Sequence, residues 1–173
     1  MQAFILDAVG DGLIGSLVMF SLMWLITNSG LANANMVGAI GSIMTRNRKK
    51  EMIYGFATYL SGGVFFSFVY NFLLMEVNVN NPRFTMAASV FIGFVHGLIV
   101  SYAIIAIFSE RHRDKRFQKV SIGIGIAHLV AHLIFGFTIG ALFCYHRNLI
   151  GASSFNELNP FLVYAIIVLA ALC

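Results

Sequence analysis

Long apolar blocks separated by short polar loops make up nearly the whole chain, and their spacing predicts its elements. The block at 120–143, VSIGIGIAHLVAHLIFGFTIGALF, contains no Asp, Glu, Lys or Arg. A helix rises 1.5 Å per residue and the hydrocarbon core of a bilayer is about 30 Å thick, so a block of this length crosses it once. Three further blocks read the same way, at about 12–27, 52–75 and 86–108. Trp24, near the end of the first, fits an interfacial anchor. A shorter run opened by Pro160, at 160–173, reads either as a fifth span or as an interfacial helix.

Between the first two blocks the pattern changes. Met36, Val37, Ile40, Ile43 and Met44 fall on one helical stripe opposite Asn35, Ser42 and Thr45. The stripe runs straight into Arg46, Arg48, Lys49 and Lys50. A helix at about 35–46 could lie on the membrane surface with its basic end at anionic headgroups, or make a short second crossing. Even with the basic residues included, the fifteen residues 36–50 reach only roughly 22 Å as a helix, which favours the surface. The expectation is an all-α integral membrane helical bundle of four or five transmembrane helices plus a short interfacial helix, one polytopic domain over 1–173.

Composition strengthens this reading. Apolar residues make up 59% of the chain and charged residues 10%, against about 25% charged in soluble domains. A β-barrel needs many short alternating strands joined by turns, whereas this chain has two prolines and long unbroken apolar runs. The net charge of +4 does not point to nucleic acid, because nine of the eleven Lys and Arg residues sit in two loops, 46–50 and 111–119. The positive-inside rule makes both loops cytoplasmic and, for a bacterial inner-membrane protein, puts the N-terminus outside if 36–45 does not cross. The opening MQAFILDAVGDG lacks a basic region and is interrupted by Asp7 and Asp11, so no signal peptide is expected. Cys144 and Cys173 are expected on opposite faces, and no CxxC or CxxCH pattern marks a redox, zinc or covalent haem site.

The candidate chemistry is histidine. His128 and His132 lie one helical turn apart inside the block at 120–143, and His96 lies in the middle of the block at 86–108. Neutral imidazole is a common ligand of haem iron, zinc and copper. His96 and His132, with His128 as alternate or third ligand, could therefore hold haem b or another metal. The plainer reading, and the favoured one, is that each hydrogen-bonds across a helix interface, through Tyr59, Ser101, Thr138 or a backbone carbonyl. Ser89, Gly93, Gly97 and Ser101 form a stripe of small residues, and Gly136 and Gly140 follow the histidines on their face. Such stripes let helices pack closely in lipid. Gly55, Tyr59, Gly63 and Ser67 repeat the spacing in the second block. Asp7 and Asp11 read as a solvated helix start, with a cap or an external cation as alternatives. No carboxylate lies deep in the expected spans, which argues against a proton-coupled carrier. No Walker, GxSxG or HExxH motif occurs, so no catalytic residue is assigned.

Gly15-Ser16-Leu17-Val18-Met19, Gly93-Phe94-Val95-His96-Gly97 and Ala131-His132-Leu133-Ile134-Phe135-Gly136 with Gly140 resemble the YagU-type group. That resemblance, over about 12–143, implies a small polytopic bacterial inner-membrane protein of four or so helices and supplies no activity. Where it implies a further histidine in the second span, this chain has Tyr59. The leading functional expectation is a non-catalytic accessory or structural subunit of a larger membrane complex, in contact with lipids and with other subunits or copies of itself. The alternative is a membrane electron-transfer protein binding b-type haem or metal. A small-solute path beginning at Tyr59, Ser67, Asn71 and His96 is a third class.

Overall fold

The computed structural model describes residues 2–32, 35–77, 81–118 and 121–147. The run expected at 160–173, with Cys173, lies outside them. Among the described residues the chain is all-helical: α1 Gln2–Asn28, α2 Met36–Met44, α3 Arg48–Glu76, α4 Pro82–Arg111 and α5 Ile122–His146, with a single 3-10 turn at Lys115–Phe117. α1, α3, α5 and the stretch Pro82–Ala103 of α4 are each long and apolar enough to cross a membrane, which makes this an integral membrane helical bundle.

Local chemistry sets the helix ends. The side-chain oxygens of Asn35, Asn47 and Asn81 accept from the first free amides of α2, α3 and α4, which have no partner within the helix. Pro82, which needs no amide partner, opens α4. Gly30, at φ 76°, turns the chain after α1.

α5 is the hub. In its most apolar stretch 56% of residues are buried, against 11% for α3. α1 and α4 pack on α5, α3 packs on α1, and α2 folds back on α3, while α3 and α4 touch at only a few positions. Met19, Met23, Tyr70, Ala127, Ala131, Phe135 and Ile139 form the core where α1, α3 and α5 meet.

Two expectations change. α1 begins at Gln2 rather than near 12, and Asp11 is 1% exposed, so the two aspartates are not a solvated helix start. An acidic residue therefore does lie inside a helix long enough to span. The partners described below are what make its burial tolerable. α2 has nine residues, a reach of about 13 Å that cannot cross the hydrocarbon core. Its buried face is Val37, Gly38, Ala39, Gly41 and Ser42, while Ile43 and Met44 are exposed. Gly41 backs onto the Glu51 carbonyl, and Gly55 of α3 backs onto the Val37 carbonyl, with no space for a Cβ at either. The small face thus packs on protein together with Val37, Met36 and Ile40 turn toward the bundle interior, and only the end of the apolar stripe, Ile43 and Met44, faces outward.

The basic loop after α4 does more than carry charge. The buried His112 places Nε2 3.2 Å from the Ala39 carbonyl and 3.4 Å from Ser42 Oγ. Arg113 donates to the Ser42 and Thr45 carbonyls at the C-terminal end of α2, where a cation also complements the helix dipole. Arg116 bridges Asp114 at 2.6 Å and Glu51 of α3 at 2.9 Å. Hydrogen bonds from the Arg116 side chain and amide pull the Asp114 carboxyl down to about 2. Those from Asp114 and Glu51 raise Arg116 further above its ordinary range.

Candidate functional site

The α4–α5 interface positions the histidines. Ser89 Oγ donates to the Gly136 carbonyl at 2.6 Å and Ser101 Oγ to the Gly125 carbonyl at 2.9 Å. A Cβ on Gly93 would lie 2.5 Å from the His132 carbonyl oxygen, and one on Gly136 2.5 Å from that of Ser89. Gly97 closes on the His132 Cβ and Gly140 on the Ser89 Cβ in the same way, at 2.9 and 2.8 Å. The six small residues singled out in the sequence therefore meet in one interface. Its tightness sets the His96 ring edge-to-face on His132, with centroids 4.6 Å apart. Phe66 of α3 lies against His96 at 3.9 Å, and the Tyr70 hydroxyl is 3.2 Å from its Nδ1.

His128 and His132 bond within their own helix. His128 Nδ1 lies 2.8 Å from the Ile124 carbonyl and His132 Nδ1 2.8 Å from the His128 carbonyl. A carbonyl only accepts, so Nδ1 carries the hydrogen and a neutral ring keeps its lone pair on Nε2. Of the cross-helix partners expected for the histidines, Ser101 bonds to Gly125 and Thr138 to the Ile134 carbonyl of its own helix. Tyr70, which the sequence pattern did not single out, is the one that reaches His96.

Among the described residues three polar atoms are left over. Tyr59 Oη, His96 Nε2 and His128 Nε2 are buried with no hydrogen-bond partner. All three residues line one cavity of about 260 Å³, together with His132, Met19, Phe66, Phe135 and Gly62. Its walls come from all five helices and are almost wholly apolar. A buried polar group left unpaired costs about 1–3 kcal/mol, so three in one hollow call for an explanation.

A second cluster lies at the opposite end of the bundle from the basic loops. Asp11 Oδ1 is 3.0 Å from His146 Nε2, and Asn71 Nδ2 donates to Asp11 Oδ2 at 3.4 Å and to the Ser67 carbonyl at 3.0 Å. His146 Nδ1 lies 3.8 Å from Asp7. The cluster ties α1, α3 and α5 together. In the sequence the only signal was that Asp7, Asp11 and His146 share one end of the bundle, and pairing them requires the helix order first.

A family model described as a family of unknown function, DUF6789, matches residues 2–150. The chain belongs to the DUF6789 family. No curated protein and no solved structure matches it, and no comparison carries the YagU-type likeness. The match spans all five helices, so the cavity of this DUF6789 chain lies wholly within the matched region.

Among the described residues no group of three His, Cys, Asp or Glu side chains is arranged to hold a metal ion. Two imidazoles on opposite faces of a haem, each about 2 Å from the iron, have ring centroids roughly 6 Å apart. His96 and His132, in mutual contact at 4.6 Å, do not bracket an iron as they stand. What the arrangement offers is hydrogen bonding: a lone pair at His128 Nε2, a ring nitrogen at His96 and a hydroxyl at Tyr59, all within an apolar wall.

Proposed function

We propose that this DUF6789 protein is a non-catalytic subunit of a membrane assembly and holds a small, membrane-soluble molecule in the histidine-lined cavity. The observation that carries the reading is the convergence of Tyr59 Oη, His96 Nε2 and His128 Nε2, all unpartnered, in one apolar hollow. A bundle gains no stability from such groups, whereas a bound molecule with matching donors and acceptors gains orientation from them. The accessory role is supported by the largely uncovered α3, whose Phe65 and Phe72 stand about 60% exposed. That surface suits lipid or another subunit's helices equally well. With the loops at 46–50 and 111–119 cytoplasmic, α1 starts outside and the Asp11–His146 cluster faces the outer side of a bacterial inner membrane.

Native mass spectrometry of the full chain, transferred from its own membranes into nanodiscs, tests the reading. A small-molecule mass should accompany the wild-type protein and be lost in Gly62→Leu. Gly62 lines the cavity, and a Cβ built on it meets nothing within 4 Å, so the added side chain takes cavity space without a clash at its base. Bare protein in both samples would remove the binding reading. A reduced-minus-oxidised spectrum with a sharp α band would instead favour haem and require the His96 and His132 rings to part.

A further inference from the structure

We infer that the cavity takes the head of a hydroquinone-class molecule, a dihydroxy aromatic ring that reaches it from the lipid. This rests on the reading of the cavity as a ligand site and adds the chemical class.

Ring tautomers set the polarity of the site. His128 gives its Nδ1 hydrogen to the Ile124 carbonyl, so its unpartnered Nε2 is an acceptor and calls for a donor on the ligand. His96 is the reverse. Tyr70 is 1% exposed and its hydroxyl lies 3.2 Å from His96 Nδ1; with the hydroxyl as donor, His96 carries its hydrogen on Nε2 and calls for an acceptor. Tyr59 Oη can do either. One face of the cavity thus demands a hydroxyl hydrogen and another an oxygen lone pair, and two phenolic hydroxyls supply both. A quinone carries no hydrogen for His128, and an aliphatic alcohol brings no ring to the aromatic walls.

The walls argue for a ring. Tyr59, Phe66 and Phe135 offer aromatic surface, and Met19 and Met36 offer thioethers, which make favourable contacts with aromatic edges. The volume agrees: an apolar cavity of about 150 Å³ accommodates benzene, and this one, at about 260 Å³, leaves space for two oxygens and small ring substituents. An adjoining hollow of about 210 Å³ shares Met19, Met36, Tyr59 and His128 with the first and gives a hydrocarbon tail somewhere to lie. α3 and α4 touch at only a few positions, and that is the side from which entry from the lipid is expected.

The test uses the full chain in phosphatidylcholine nanodiscs, titrated without oxygen against trimethylhydroquinone, its dimethyl ether, trimethylbenzoquinone and dodecanol, with equilibrium dialysis as the readout. The hydroquinone should bind saturably and about tenfold more tightly than the ether or the quinone, the ratio expected for one hydrogen bond worth about 1.4 kcal/mol. That preference should vanish in His128→Leu and shrink severalfold in Tyr59→Phe, a change that removes no hydrogen bond from the bundle. Gly62→Leu should abolish binding of every ring compound. Equal binding of hydroquinone and ether, lost in Gly62→Leu, would overturn the hydroquinone class and leave the cavity reading standing. Preference for dodecanol would overturn it in favour of an aliphatic alcohol. If no probe binds, the class is overturned, and the native mass measurement then decides the cavity on its own.

Discussion

α4 and α3 each carry four residues at four-residue spacing, and the bundle uses the two stripes differently. On α4, Ser89, Gly93, Gly97 and Ser101 all meet α5, and both hydroxyls are bonded to its carbonyls. On α3, Gly55 meets the Val37 carbonyl of α2, Gly63 meets the Ser16 hydroxyl of α1, and Ser67 accepts from Asn71. Tyr59 meets the cavity instead, with its hydroxyl unpartnered. An uninterrupted run of small residues lets one partner helix follow it along its length. A single large residue in the run divides it between two partners and holds open a space beside them. The first stripe builds the scaffold and the second builds the site.

The largest expected effect breaks the α4 stripe. Gly93→Leu drives a side chain into the His132 carbonyl and should cost about 3 kcal/mol in reversible unfolding by denaturing detergent, at the upper end for overpacking. Gly62→Leu on α3 should stay within about 0.5 kcal/mol of wild type in the same titration. Equal losses would dissolve the distinction between the two helices.

Next comes the cluster that ties α1 and α3 to α5. His146→Ala leaves Asp11 without its nearest partner and should cost about 2 kcal/mol. Adding Asp11→Asn should recover part of that loss, because the two residues form one pair. Strict additivity would mean that the contact carries no coupling. Ser89→Ala should cost about 1 kcal/mol, one ordinary hydrogen bond.

The smallest effect lies outside the membrane, in the loop that clasps α2 and α3. The Asp114 carboxyl is held below its ordinary value, near 2. Its contribution is therefore complete above about pH 4, constant to neutrality, and lost as pH falls through about 2. The Arg116 Nε–H resonance should sit at its bonded position from pH 7 to 4 and move toward that of free arginine only below 4. Movement between pH 5 and 7 would contradict the assignment.

The scaffold was legible in the sequence because it depends on patterns that repeat. Four apolar blocks gave the four long helices, and the Gly–Ser spacing on α4, with Gly136 and Gly140, marked the residues that meet in its interface with α5. The site was legible only in part. His96, His128 and His132 stood out as ionisable groups in apolar surroundings, but ligation by iron and bonding to a carbonyl require the same residue type at the same spacing. Only the ring contacts separate them. Tyr70 and His146 were not singled out, and Asp11 was read as solvated, because each matters through a partner on another helix. The apolar stripe of α2 was legible, but not that Gly41 and Ser42 would join Val37 in its buried face, because close backbone approach leaves no hydrophobic signal.

The central claim is that the cavity keeps polar groups the fold itself does not use. The free energy of reversible unfolding of Tyr59→Phe against wild type, both freed of bound small molecules in detergent, tests it most directly. Removing a buried hydroxyl that has no partner should leave stability unchanged or raise it by up to about 1 kcal/mol. A loss of about 1 kcal/mol or more would mean that the hydroxyl is already satisfied within the bundle, and the cavity would then be a packing defect rather than a site.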